Sequence, residues 1–176
     1  MGELRLVPFL ALIAGGGTGC AQAQPPVIFL GAFSNMRYTE EHAYGYTVQL
    51  WRAGPDVFGL FLASAGLAGD TPAGVLDDVR FDEKTATLSF NARLTLGMTI
   101  AADGRQQPTR DRFSFDGRLS GTRLVGTVKH SSGGATETVR VILDKRRAEE
   151  PVRQPRTYAE WKLQADEILR QRGPKW

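Results

Sequence analysis

Residues 88–100 read Leu-Ser-Phe-Asn-Ala-Arg-Leu-Thr-Leu-Gly-Met-Thr-Ile, and this stretch decides the fold class. Leu88, Phe90, Ala92, Leu94, Leu96, Met98 and Ile100 hold every even position, while polar residues or glycine hold the odd ones. A β-strand turns successive side chains to opposite faces, so the alternation gathers the apolar set on one side. A helix would scatter the same residues round its circumference. As one strand the run would extend about 40 Å, longer than most, so a bend is expected, with Gly97 as its place.

The same pattern continues in both directions. Upstream, Tyr44, Tyr46, Val48 and Leu50 alternate with Gly45, Thr47 and Gln49. Ala53-Gly54-Pro55-Asp56 then supplies a turn, because Gly and Pro set its backbone angles. Val57 to Ala65 is apolar on both faces, a Gly/Pro-rich loop spans 66–74, and Val75 to Asp82 leads through Glu83-Lys84 into the 86–101 run. Downstream, Phe113, Phe115 and Leu119 share one face of 112–119, Ser120-Gly121 marks a hairpin, and 123–130 and 136–144 complete the set. With a first strand at 27–34, eight strands are expected, joined mostly by short hairpins.

Eight sequential strands with short connections predict an all-β fold, an antiparallel up-and-down barrel that closes to remove its edges. The alternatives are a β-sandwich or a half-open barrel, which use the same periodicity. In outline the arrangement resembles a lipocalin or another calycin, although the Gly-x-Trp signature of the first lipocalin strand is absent. An outer-membrane barrel would turn its apolar face outward between aromatic girdles, and no girdle pattern is evident at the strand ends.

The two ends of the chain differ in kind from the middle. Residues 1–23 run from a short basic start through the apolar stretch Leu6–Ala14 to a small, polar segment, the order of a secretory signal peptide. Ala21-Gln22-Ala23 fits cleavage before Gln24. Gly17-Thr18-Gly19-Cys20 resembles a bacterial lipobox, with Gly17 where Leu is usual, and would end the leader at residue 19 and make Cys20 a lipid attachment site. Both routes export the protein, to the periplasm or medium or to a membrane-anchored form. The β-domain then covers 24–144 and a charged, Pro-containing linker covers 145–156. A helix is predicted over 157–172, with Thr157 as N-cap, Glu160 closing a capping box, an apolar stripe of Tyr158, Trp161, Ala165, Ile168 and Leu169, and a stop at Gly173-Pro174.

Composition narrows the chemistry. One cysteine in 176 residues excludes an internal disulfide framework and any Cys-cluster metal site, and two histidines leave little for a His-rich centre. Residues 24–144 carry 12 basic and 13 acidic side chains; 145–176 carry 9 and 5. The excess is small and mixed with acid, so no nucleic-acid partner is expected, and membrane contact is expected only through Cys20. No HExxH spacing links His42 and His130, which read as ordinary surface histidines, and no G-x-S-x-G elbow marks a nucleophile. Neither metal, cofactor nor catalytic residue is assigned. The expected ligand-binding residues are Tyr46, Phe90 and Phe115, as aromatic lining of the barrel, and Asp77, which strand parity turns inward with Val79 and Phe81 unless it belongs to a wet loop end. Trp51, on the polar face of its strand, is free to dock the terminal helix. The function expected is that of an exported, bacterial-type, non-enzymatic envelope protein binding a small apolar ligand or a protein partner. Alternatives are a lipid-anchored structural or assembly protein and, last, an enzyme using a barrel carboxylate.

Overall fold

The computed structural model describes residues 25–67, 71–146 and 154–176. The leader, Cys20 and most of the linker lie outside the described residues. The chain forms β1 (Val27–Ser34), β2 (Arg37–Tyr38), β3 (His42–Ala53), β4 (Asp56–Leu67), β5 (Ala73–Val75), β6 (Asp77–Asp82), β7 (Thr87–Leu94), β8 (Met98–Ile100), β9 (Gln106–Pro108), β10 (Asp111–Ser120), β11 (Arg123–Ser132), β12 (Ala135–Lys145) and α1 (Tyr158–Arg172).

The main sheet runs β5-β4-β3-β1-β12-β11-β10-β7-β6, all antiparallel, with the two-residue β2 beside β3. β5 and β6 are separated by Leu76 alone, so one kinked run pairs with β4 on one side and β7 on the other. Counted that way, eight runs follow one another round a nearly closed barrel, and the predicted all-β barrel with a terminal helix is the fold formed. Hairpins β10–β11 and β11–β12 pair without a break from Arg112 to Asp144.

Inside the barrel, Phe33, Val48, Leu50, Phe61, Leu88, Leu94, Leu124, Val128 and Leu143 are almost fully buried. A second apolar layer lies outside the sheet, where α1 packs Trp161 and Ala165 on Trp51, Ala53, Phe58 and Leu60. β4 therefore has a buried face on each side: Val57 and Phe61 enter the barrel, and Phe58 and Leu60 meet the helix. That double burial is why its sequence is apolar without alternation. Trp51, 3% exposed, stacks obliquely on Trp161 at 6.0 Å.

Thr157 caps α1 by accepting the Glu160 N–H at 3.2 Å. The Glu160 carboxylate reaches back to the Arg156 N–H at 2.7 Å, one residue before the cap. Gly173 ends the helix in extended backbone, not in the left-handed form; Pro174, which lacks an N–H, prevents another turn.

The run over 86–101, expected to bend at Gly97, divides into two strands, and the break begins earlier, at Thr95. β7 stops at Leu94, and β8 pairs only with β9 as a flap outside the main sheet. The departure is built by side chains: the Leu96 N–H donates to Asp111 at 2.8 Å, and the Thr95 hydroxyl donates to the Thr109 carbonyl at 3.2 Å. These replace ladder bonds. Met98 and Ile100 are consequently 58% and 72% exposed, although their alternation matches that of the buried half.

Candidate functional site

Tyr46, Phe90 and Phe115 are brought together inside the barrel. Tyr46 stacks on Phe61 at 5.7 Å and meets Phe113 edge-on at 6.3 Å; Phe61 lies 5.9 Å from Phe90, which stacks on Phe115 at 5.1 Å. Phe90 and Phe115 are each 2% exposed, so these rings contact one another and the surrounding core. Tyr46, half-buried, is the member nearest the flap end of the barrel. Burial and the Glu137 carboxylate raise its phenol above its ordinary pKa. Tyr44, two residues before Tyr46 in the same alternating run, is 49% exposed.

Asp77 does not join them. Asp78 adopts a left-handed backbone, φ 52°, and the β6–β7 register slips by one residue between Asp77 and Arg80. A bulge of this kind reverses side-chain parity. Phe81 keeps its inward place opposite Leu88, whereas Asp77 pairs with Asn91 on the outer face and forms an ion pair with Arg93 at 3.3 Å. The inward orientation expected from alternation is corrected accordingly.

A buried carboxylate that does lie on the inner face is Asp111, 2% exposed, at the start of β10. It accepts from the Thr109 hydroxyl, from the Leu96 N–H and, at 2.9 Å, from His130 Nε2. Burial pushes its pKa up, but hydrogen bonds from Thr109, Leu96, His130 and Ser132 outweigh this and hold it below the ordinary carboxylate range. The His130 ring lies parallel to Phe113 at 4.3 Å. His130 is thus no ordinary surface histidine. Its strand-end position and the distant Asp111 gave no motif; inward parity of both residues was the one available signal. With Nε2 engaged by Asp111, Nδ1 is the ring nitrogen left for another partner, and no hydroxyl among the described residues bonds to it. No group of three or more potential metal ligands occurs among the described residues.

Two clefts have contrasting chemistry. At the barrel end opposite the flap, a cleft of about 450 Å³ lies between barrel rim and helix, lined by Val57, Phe58, Leu76, Val79, Ala53 and Tyr158, with Pro25 and Asp56 at its border. On the outer face of β6, β7, β10 and β11, a groove of about 500 Å³ is lined mainly by charged and polar groups. The first has the size and apolar lining of a small-molecule site. No described helix is long and apolar enough to cross a membrane.

Fold and clefts together define an antiparallel barrel flanked by a terminal helix. Neither the family models, nor the curated proteins, nor the solved structures compared with this chain match it.

Proposed function

We propose that this is an exported, bacterial-type envelope protein that binds a small apolar ligand in the cleft between barrel rim and helix. The observation that carries the reading is the lining: Val57, Leu76 and Val79 from the barrel face Phe58 and Tyr158, with Asp56 alone charged. Tyr158, edge-on to Phe58 at 4.9 Å and 47% exposed, gives one wall an aromatic plane. Export is supported by the leader-like order of residues 1–23, and a lipid anchor on Cys20 is the alternative end of that leader.

Native mass spectrometry of the mature protein, with uptake of an apolar fluorescent dye, tests the ligand. Retained mass or saturable dye uptake is expected in the wild type, and Val79→Trp, which fills the cleft, should abolish both. A clean apo mass with no dye uptake would refute the proposal. Fatty-acid labelling of wild type against Cys20→Ala separates the anchored form from the released one.

The Asp111–His130 pair favours one second reading, hydrolysis with His130 as general base. It puts the barrel carboxylate at Asp111 and not at Asp77. A hydrolase screen in which His130→Gln and wild type behave alike would remove it.

A further inference from the structure

We infer that the outer face of β7, β10 and β11 carries an oxyanion site, centred on Arg112 and Lys129, that takes a phosphate group. The site is separate from the apolar cleft and does not rest on it. Strand register builds it. Arg93, Arg112 and Ser131 stand side by side in one cross-strand row, and Asn91, Ser114 and Lys129 form the next. All six line the groove of about 500 Å³.

Arg93 and Arg112 are direct antiparallel neighbours, an arrangement that like charges destabilise unless something neutralises them. Asp77 serves Arg93 from the β6 side at 3.3 Å, and Asp78 is engaged by the Asn91 amide at 3.0 Å. Arg112 and Lys129 have no carboxylate partner among the described residues. Three cations against two carboxylates leave the groove positive, and both carboxylates lie at its β6 edge. The uncompensated charge is therefore over β10 and β11, where Arg112 and Lys129 are diagonal neighbours about 7–8 Å apart at the backbone, within reach of one anion for side chains this long.

Arg112 is held in place for this role. Its guanidinium lies over the Trp176 ring at 5.7 Å, and that ring is anchored by its Nε1–H to the Leu94 carbonyl at 3.0 Å. A planar guanidinium, an ammonium and flanking hydroxyls offer donors in several directions, which suits the oxygens of a phosphate. That phosphate could be free or the headgroup of a phospholipid.

The test titrates inorganic phosphate into the full chain by isothermal calorimetry. In parallel, the protein is sedimented with phosphatidylcholine vesicles, with and without phosphatidylglycerol. Saturable phosphate binding is expected, with the dissociation constant raised about tenfold by Arg112→Gln or Lys129→Gln, a loss of one charge-assisted contact. The helix variant Lys162→Gln should bind as wild type does. Sedimentation that needs phosphatidylglycerol and is lost in both groove variants assigns the headgroup as source; phosphate binding without it assigns the free anion. Lys129→Gln breaks no described contact, so its fold, checked by circular dichroism, is expected to be intact. Absence of saturable phosphate and vesicle binding would overturn the site. So would groove variants that bind like wild type, or equal weakening in Lys162→Gln.

Discussion

Asp111 stays charged where burial opposes charge, because four donors converge on it. The sign of its pH linkage follows. A carboxyl whose folded pKa lies below its unfolded value, about 3.9, contributes stability in full above that value and loses it as pH falls through the lowered one. Chemical denaturation of wild type should therefore show a stability loss on acidification below about pH 4 that is shallower in Asp111→Asn. At neutral pH the same variant is expected to be less stable by about 1–3 kcal/mol, since an amide cannot accept everything the carboxylate does. Parallel curves for the two proteins would show that Asp111 has no such role. Neither Asp111 nor His130 stands out in the sequence. They are 19 residues apart and become partners only because β10 and β11 pair with Phe113 opposite His130. Asp77 shows the converse: alternation misplaces it because a single left-handed residue, Asp78, intervenes.

Among the elements, α1 and the β8–β9 flap stand at opposite extremes of attachment. Trp161 is 3% exposed and lies 4.6 Å from Phe58 and 6.0 Å from Trp51. Trp161→Ala should cost about 3–5 kcal/mol in urea unfolding, whereas truncating the 71%-exposed Leu163 on the same helix should cost under about 0.5. The apolar stripe was readable at its 3.6-residue spacing, and so were Thr157 as a cap and Trp51 as a docking residue; the rest of the covered surface, Ala53, Phe58 and Leu60, was not. The flap pairs over three residues, and its Met98 and Ile100 are exposed. Its amides should exchange in hydrogen–deuterium experiments faster than those of β7, β10 and β11, because few buried contacts oppose local opening. Equal protection would contradict this. Up to Leu94 the alternation reports burial, and beyond it the same alternation continues in a ribbon with no core beneath it.

For the molecule as a whole, closure depends on two unlike seams. β1 meets β12 only at Phe33–Lys145 and Ser34–Asp144, with a further bond from the Arg146 N–H to the Ala32 carbonyl at 2.8 Å. On the other side, β5 crosses from β4 toward β7 at Gly74, where a Cβ would collide with the Arg93 carbonyl oxygen. Gly74→Val must force that seam apart. A loss of about 1–3 kcal/mol is expected, as for overpacking elsewhere, read as a lower thermal midpoint; an unchanged midpoint would show that the seam bears no load.

By itself the sequence determined the strand periodicity, the turns, the helix with its cap, and the order in which these follow. Each is a local property, set by which side of the backbone an apolar residue occupies and by which residues tolerate a turn. Only the tertiary structure decided that the barrel interior holds stacked aromatic rings, that β4 is buried on both faces, and that the apolar cleft lies against the helix. It alone also paired Asp111 with His130 and set Arg93 beside Arg112. Those outcomes depend on register and on a one-residue bulge, and one slipped residue moves a side chain from the core to the opposite face.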